Sequence, residues 1–250
     1  MIRGLDASSV QGPLPYDKLG PEYRFVILKA QQGNDGFDPW FVRNVRAGMS
    51  RGLEVFAYCF AYPLPDAPGK VNRDPLGQAK LFVERTLTAC PELEGRPLFL
   101  DYEWPAPEEW AKWGCTPKQL STWMEANAAE VTRLSGRKPA IYTYDWWWAQ
   151  VRKGADVSWA AEYDLWMAWY TTRWPAPGER PRIPAPWTDW KFWQFDGNNG
   201  LKMPNGVDSD FCVFNGDEDA LQEWTRGPRP DRPAGDGVLG PAAMTTVCRK

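Results

Sequence analysis

A chain of 250 residues is long enough to bury one large hydrophobic core without disulfide bonds or structural metals. Its net charge of −3 at neutral pH provides no positive surface for phosphates, so we expect no nucleic-acid partner. The chain contains no histidine, which excludes serine–histidine triads and histidine-ligated zinc sites and leaves acid–base chemistry to carboxylates, tyrosines, lysines or thiols.

Short β-rich runs alternate with helical patterns in the first half of the chain, which predicts βα units and a parallel sheet. The predicted strands cover residues 2–8, 24–31, 54–62, 97–104 and 140–144. Three predicted helices lie between them, and each begins at a capping residue followed by proline. These helix starts are Asp38-Pro39, Asp74-Pro75 and Thr116-Pro117.

After Tyr144 the helical patterns fade, and three more runs resemble strands, at residues 164–170, 191–195 and 207–213. Eight strands with helices between only the early ones predict an α/β fold, a single barrel related to the (β/α)8 type with a depleted second half. We place this domain at residues 1–225. Residues 226–250 are rich in proline, glycine and charge, and we expect a flexible, disordered tail whose removal leaves the melting temperature nearly unchanged.

The cysteines and the start of the chain bear on its compartment. Five scattered cysteines with no C-x-x-C pair do not resemble a secreted disulfide framework, and we expect buried, reduced thiols. The start at Met1 lacks the apolar segment of a signal peptide, and no stretch approaches the roughly 18 apolar residues of a membrane span. The sequence therefore predicts a protein that is made in the cytosol and does not insert into a membrane.

The most informative segment is Leu98-Phe99-Leu100-Asp101-Tyr102-Glu103-Trp104. Three apolar residues lead into two carboxylates, and the two-residue period of a strand puts Asp101 and Glu103 on one face. Barrel active sites are built at the C-terminal ends of strands. A carboxylate pair there suits a glycosidase, in which one group protonates the leaving oxygen and the other stabilises or attacks the oxocarbenium-like centre. A solvated strand end is the competing interpretation.

Two further aspartates can join this pair. Asp6 ends the first predicted strand and Asp208 opens the last, and these two strands are neighbours in a closed barrel. A cluster of like charges raises at least one pKa, which suits a general acid that works near neutral pH. Either aspartate could instead be a turn residue.

Aromatic residues are the outlying part of the composition, with 16 tryptophans. Exposed rings can stack on sugars, although tryptophan is also a common core residue. Side chains at the predicted strand ends form a candidate substrate-binding rim, for which core packing and ligand contact have equal weight: Tyr62, Tyr142, Tyr170, Trp193 and Gln194. Consecutive residues cannot all face one way, so at least one of Trp146, Trp147 and Trp148 is expected to be exposed.

Ten short segments, taken in order over residues 2–224, resemble the lysozymes of glycoside hydrolase family 25. A single segment of this kind is weak, but ten in the right order are specific. Among them are Gly4-Leu5-Asp6-Ala7-Ser8, Phe25-Val26-Ile27-Leu28-Lys29-Ala30, Leu100-Asp101-Tyr102-Glu103, Pro139-Ala140-Ile141-Tyr142-Thr143, Trp193-Gln194-Phe195 and Val207-Asp208.

The resemblance implies a (β/α)5β3 barrel that hydrolyses the β-1,4 bond between N-acetylmuramic acid and N-acetylglucosamine in bacterial peptidoglycan. It implies Glu103 as the general acid/base. Asp101 would stabilise the transition state or position the acetamido group of the substrate, and Asp6 and Asp208 would complete the acidic site. No metal and no organic cofactor are implied.

Phages use this family both to lyse hosts and to puncture cell walls, so the resemblance also suggests a cellular role. Without a signal peptide, the expected route is accumulation in the host cytoplasm, followed by release to the wall through a membrane lesion that a holin-type protein makes. A virion-associated enzyme is the alternative.

Two departures from the family pattern lie near the expected cleft. The family commonly has an Ala-Thr-Glu-Gly turn where this chain has Ala30-Gln31-Gln32-Gly33, and Tyr-His-Phe where it has Tyr58-Cys59-Phe60. We expect these changes to affect substrate contacts and the pH optimum, while the four carboxylates stay in place.

Three other classes of protein compete with this interpretation. A chitinase-like barrel also ends its motif in Asp-x-Glu, but its pattern needs aspartates where this chain has Phe99 and Arg96. A cell-wall-binding or virion structural protein that has lost catalysis would usually lack a carboxylate, and none of the four is missing. A thiol enzyme would lack a histidine partner for its cysteine.

Overall fold

The computed structural model describes residues 1–34, 36–63, 74–171, 173–197, 201–203 and 209–227. Within these ranges the chain forms nine strands and six α-helices. The strands are β1 (Ile2–Ala7), β2 (Tyr23–Gln32), β3 (Gly36–Phe37), β4 (Glu54–Phe60), β5 (Phe99–Asp101), β6 (Ala140–Tyr144), β7 (Asp164–Ala168), β8 (Phe192–Asp196) and β9 (Asp210–Phe214). The helices are α1 (Phe41–Ser50), α2 (Pro75–Ala89), α3 (Trp110–Trp113), α4 (Pro117–Ser135), α5 (Asp145–Arg152) and α6 (Glu218–Arg226).

Eight of these strands close into a barrel, and β3 is attached to it through β2. The strands from β1 through β2 and β4 to β8 are parallel to their neighbours, whereas β9 is antiparallel to both β8 and β1. The pairing of β1 with β2 completes the ring. This topology confirms the predicted single α/β barrel, with most of its helices between the early strands.

Strand β5 is shorter than the predicted range 97–104. Its ladder continues as far as the bond from the N–H of Tyr102 to the carbonyl of Tyr142, and the chain then reaches Pro105. Proline has no N–H to donate to a neighbouring strand, so the chain leaves the barrel there. The residues beyond Asp101 are thereby free to form the rim.

Helices α2 and α4 begin where the capping signals predict them, whereas α1 begins at Phe41, two residues after the predicted start at Pro39, with Trp40 as its N-cap. Both carboxylate oxygens of Asp74 accept bonds from the first turn of α2. Thr116 and Gln119 form a reciprocal capping box at the start of α4. These helices pack their apolar faces on the outside of the barrel.

The expectation that helices fade after Tyr144 was wrong, because α5 begins directly at Asp145 and α6 follows later. Tryptophan is a modest helix former, so the sequence of α5 gives a weak local signal. Its stability comes instead from packing, since Trp147, Trp148 and Val151 are fully buried on one face.

Aromatic side chains fill the N-terminal end of the barrel. Trp224 of α6 packs on the rings of Phe56, Phe99 and Phe192, whose centroids lie 5.4, 5.8 and 5.0 Å from its own. The phenylalanines in this buried cluster are Phe25, Phe56, Phe99, Phe192 and Phe214. Gly4 of β1 lies against it, and a Cβ there would be 2.4 Å from the ring of Phe25. The opposite end of the barrel is therefore the one available for a site.

The predicted tail, residues 226–250, lies outside the described residues except for Arg226, which ends α6, and Gly227. Four cysteines are free and buried, as expected, namely Cys59, Cys90, Cys115 and Cys212. The helices in the described part of the chain include none that is long and apolar enough to cross a membrane.

Candidate active site

Four carboxylates meet at the C-terminal end of the barrel, where parallel strands bring their last residues to one rim. Asp6 lies near the end of β1, Asp101 ends β5, and Glu103 follows two residues later. Because β9 runs antiparallel to β1, its first residue, Asp210, pairs directly with Asp6. The structure thus brings together three of the four predicted carboxylates, and the fourth, Asp208, lies outside the described residues.

Asp6 is buried and is held by two donors. Nε2 of Gln194 donates to its Oδ2 at 2.9 Å, and Sγ of Cys212 donates to the same oxygen at 3.1 Å. Burial raises the pKa of Asp6 well above its usual range, and the charge of Asp210 raises it further, against the lowering effect of the two hydrogen bonds. Asp6 is therefore fixed in place below the rim and retains a proton more readily than an ordinary aspartate.

Asp101 is buried as well, with 5 % of its surface exposed. Burial raises its pKa well above the usual range, the charge of Glu103 raises it further, and the charge of Lys29 opposes this. Its Oδ1 is buried and accepts no hydrogen bond from the described part of the chain. A buried carboxylate oxygen without a donor is costly, and a substrate N–H or O–H would satisfy it.

Glu103 stands beyond the end of β5, where its side chain is partly exposed and lines a cavity. Burial raises the pKa of Glu103 to about 7, with the charge of Asp210 acting in the same direction and that of Lys29 against it. A large fraction of Glu103 is therefore protonated near neutral pH. An accessible carboxyl group in this state is suited to general acid catalysis.

Lys29 of β2 belongs to the site, although sequence reasoning did not single it out. Its half-buried ammonium group donates to Oε1 of Gln32, and Nε2 of Gln32 donates in turn to the hydroxyl of Tyr62. Burial lowers the pKa of Lys29, while the charge of Asp101 acts in the opposite direction. The available signal was a lysine within an otherwise apolar strand, because a charge there needs an acidic partner.

Tyr58 of β4 is a second member that sequence reasoning missed. Its ring packs on Trp166 with centroids 5.9 Å apart, inside the barrel. Burial raises the pKa of Tyr58 well above its usual range, and the charges of Asp6 and Asp101 raise it further. The phenol is therefore close enough to both carboxylates to feel their charges. The two-residue alternation of β4, which gives Tyr58 the same face as Phe56, was the signal for it.

Two predicted substrate-binding residues, Tyr142 and Tyr170, line the same cavity as Glu103. Their hydroxyls both donate to Oε1 of Gln194, at 2.9 and 3.0 Å. Gln194 was also predicted to bind substrate, but it is buried and its amide joins these tyrosines to Asp6. The structure gives Gln194 a positioning role.

The other two predicted rim residues differ from each other. Trp193 is fully buried and its Nε1 donates to the carbonyl of Trp169 at 2.7 Å, so the expectation that its ring contacts a sugar was wrong. Tyr62 is half-buried, and its ring lies 4.6 Å from that of Trp104, which in turn lies 5.4 Å from Trp113. Tyr62 therefore belongs to an aromatic wall beside the carboxylates.

The cavity beside Glu103 has a volume of about 620 Å³. Its walls include Tyr144, Trp146 and Trp169, and the ring of Trp146 stacks nearly parallel to that of Tyr144. Trp146 is 52 % exposed, whereas the next two tryptophans are buried. This confirms that one indole of the three consecutive tryptophans is exposed. Among the described residues, no group of three or more histidine, cysteine or carboxylate side chains is arranged to hold a metal ion.

Many enzymes hydrolyse the bond between two sugars with a protonated carboxyl group and a second carboxylate in a cleft with exposed rings. The site has these features, and they define the class of glycoside hydrolases. The model of glycosyl hydrolases family 25 matches residues 5–202, and the chain belongs to this family. It is a lysozyme-type glycoside hydrolase and acts on peptidoglycan.

Individual relatives agree with this assignment. The chain is 28 % identical over 234 residues to the uncharacterized protein YegX of Escherichia coli O157:H7, and the aligned region covers 90 % of this chain and 74 % of that protein. It is 26 % identical over 216 residues to lysozyme M1 of Streptomyces globisporus, and this aligned region covers 86 % of this chain and 68 % of that protein. The solved structure of a muramidase from Trichobolus zukalii is similar with a TM-score of 0.70 at 25 % identity, over 91 % of this chain and 100 % of that one.

Proposed function

We propose that this enzyme is an N-acetylmuramidase, which cleaves the β-1,4 bond between N-acetylmuramic acid and N-acetylglucosamine, and that Glu103 is its general acid. The observation that carries the proposal is the pKa of Glu103, raised to about 7 at a position that lines an open cavity. Such a group holds a proton at neutral pH and can deliver it to a bound glycoside.

In this mechanism Glu103 donates its proton to the glycosidic oxygen while the bond from that oxygen to C1 of the muramic sugar breaks. Positive charge then develops at C1 and the ring oxygen, and the acidic cluster stabilises it. A water molecule adds to C1, and its proton passes to the carboxylate of Glu103. The acid is thereby restored, and the products are a muramic-acid reducing end and a free 4-hydroxyl group.

Asp101 is the partner of Glu103 in this proposal. Its buried Oδ1, which accepts no bond from the described protein, is available to hold the acetamido N–H of the substrate or to face the developing charge. Asp6 and Asp210 contribute through charge, because both raise the pKa of Asp101 and Asp210 also raises that of Glu103. Asp208 stays a proposed member of the acidic site, from the family resemblance.

The test is to digest purified peptidoglycan with the wild type and with Glu103→Gln, and to identify new reducing ends by mass spectrometry. Glu108→Gln is the matched control, because Glu108 is exposed on the chain segment that follows the same strand. We expect muramic-acid ends from the wild type and the control and none from Glu103→Gln. Glucosamine ends would move the proposal to the other glycosidic bond, and no soluble fragments from any variant would favour a wall-binding protein.

We propose further that the enzyme serves phage-type lysis of a host, reaching the wall through a lesion made by a holin-type protein. The resemblance to a family that phages use supports this role. The test is expression in bacteria with and without a membrane-permeabilising protein, with culture turbidity as the readout. Lysis only in the presence of both proteins is expected, and lysis by the enzyme alone would contradict the proposed route.

A further inference from the structure

Exposed aromatic rings gather on the wall of the cavity that Glu103 lines. Trp146, Trp169 and Tyr170 are 52, 37 and 52 % exposed, and all three line this cavity. Exposed rings of this size are unusual unless they bind something, because each leaves a large apolar face in water. The wall is therefore a candidate binding surface on the cavity that Glu103 lines.

A cation lies on the same wall. Arg182 lines the cavity, and its guanidinium group is 5.4 Å from the centroid of the Trp169 ring. Its Nη1 donates to Oδ2 of Asp145 at 2.9 Å. The ring and the carboxylate together hold the guanidinium at the edge of the cavity.

We propose that Arg182 binds a carboxylate on the substituent that the muramic sugar carries at C3, so that the enzyme prefers glycan strands with an anionic substituent. This inference rests on the proposed function, since it takes a glycan strand as the occupant of the cavity. The sugar backbone of such a strand offers hydroxyl and acetamido groups, which are neutral. Carboxylates occur only on the lactyl group or on the peptide attached to it, and these are the two possible sources.

The more exposed member of the ion pair determines which charge on a ligand is favoured. The side chain of Arg182 is 64 % exposed, whereas that of Asp145 is 26 % exposed. A ligand that enters the cavity therefore meets the cation first. A guanidinium group carries five N–H donors, so the bond to Asp145 leaves donors for a second carboxylate, which it can bind in a bidentate way.

The expected effect is moderate, because Arg182 is well exposed and water screens its charge. Exposed pairs of this kind contribute up to about 1 kcal/mol, which corresponds to roughly fivefold in affinity. The effect should also shrink as salt is added, since exposed charges are screened over about 10 Å at 0.1 M ionic strength.

The experiment measures binding in a Glu103→Gln background, so that strands are not consumed and the result does not depend on hydrolysis. Three probes are used: strands with their peptides, strands stripped by an amidase so that the lactyl carboxylate is free, and stripped strands whose carboxylates are converted to methylamides. Glu103→Gln is compared with Glu103→Gln/Arg182→Gln. The control is Glu103→Gln/Arg180→Gln, which removes a neighbouring exposed Arg–Asp pair outside the cavity.

We expect Arg182→Gln to weaken binding about three- to fivefold for a strand that carries the recognised carboxylate and to leave the methylamide strand unchanged. Weakening with peptide-bearing strands alone identifies the peptide as the source, and weakening with stripped strands identifies the lactyl group. An equal loss for all three probes, or a loss that Arg180→Gln reproduces, would overturn the proposal. Failure of the wild type to release muramic-acid ends would refute the proposed function without changing this comparison.

Discussion

Gln194 of β8 donates a hydrogen bond of 2.9 Å to Asp6 of β1, across the width of β9, which lies between these two strands. The same Nε2 lies 3.4 Å from Oδ2 of Asp210 on β9. One amide thus contacts two of the carboxylates at the rim, while its oxygen accepts the hydroxyls of two tyrosines. From β8, Gln194 therefore joins polar side chains of three other strands, β1, β6 and β9.

Replacing Gln194 with leucine should lower both stability and turnover. Leucine has a similar size but removes one of the two donors to Asp6 and the acceptor of both tyrosine hydroxyls. A buried group that loses its hydrogen bond, as Tyr142 would, costs about 1 to 3 kcal/mol. Urea unfolding and kcat on peptidoglycan are the measurements, with Gln222→Leu on α6 as control. An unchanged kcat in a variant that folds normally would contradict the positioning role.

Asp210→Asn and Lys29→Met should move the pH profile of activity in opposite directions. The charge of Asp210 raises the pKa of Glu103 and the charge of Lys29 lowers it. Because Glu103 must be protonated to act as an acid, activity falls as pH rises through its pKa. Loss of Asp210 should shift this alkaline limb to lower pH, and loss of Lys29 should shift it to higher pH, as read from kcat/KM between pH 4 and 9. Shifts of the same sign would refute this account.

The acidic cluster should make the fold less stable as pH rises. Burial raises the pKa of Glu103 from 4.5 to about 7, and raises those of Asp6 and Asp101 too. Between these values the folded chain binds more protons than the unfolded chain, so the free energy of unfolding falls as pH rises through that window.

Glu103→Gln removes the contribution of Glu103 to this loss of stability. The variant should therefore be more stable than the wild type at pH 8, by on the order of 2 kcal/mol, but not at pH 4. Urea unfolding at both pH values measures it, and Glu125→Gln on the exposed face of α4 is the control. Equal stability of Glu103→Gln and the wild type at pH 8 would show that the site does not strain the fold.

Neighbouring tryptophans of α5 should respond differently to alanine. Trp147 is fully buried and its Nε1 donates to the carbonyl of Pro105 at 2.8 Å, so Trp147→Ala should cost about 3 to 5 kcal/mol of unfolding free energy. Trp146 is 52 % exposed, so Trp146→Ala should cost less than about 1 kcal/mol and act mainly on KM. Thermal unfolding and steady-state kinetics distinguish the two, and similar melting temperatures for both variants would be inconsistent with the structure.

The carboxylates at the ends of early strands could be predicted because local signals specify them. Asp101 and Glu103 follow an apolar run, and a parallel barrel leaves the ends of such runs at one rim. The carboxylate that the last strand contributes was harder to predict. Asp208 and Asp210 are two residues apart, which is the spacing at which strand residues face the same way, so the sequence alone does not say which of them faces Asp6; in the structure Asp210 pairs with it.

The roles of polar and aromatic side chains could not be read from the sequence for a different reason. Trp193 and Gln194 are adjacent and both lie at a strand end, yet one packs outside the barrel wall and the other points into it. That difference depends on the register of β8 against β9, which involves long-range pairing. Lys29 was missed because its acidic partners lie on other strands.

Because β1 at the start of the chain pairs with β9 near residue 210, a newly made chain completes its barrel late in synthesis. Strand β1 pairs with β2 on one edge, but residues 2 to 6 find their partners on the other edge only at residues 210 to 214, so the sheet stays open until β9 has been made. Asp6 lacks both Cys212 and the neighbouring Asp210 until that point. Until β9 has docked, the acidic cluster lacks Asp210 and Asp6 lacks one of its two donors, so we expect hydrolytic activity only from chains whose barrel has closed.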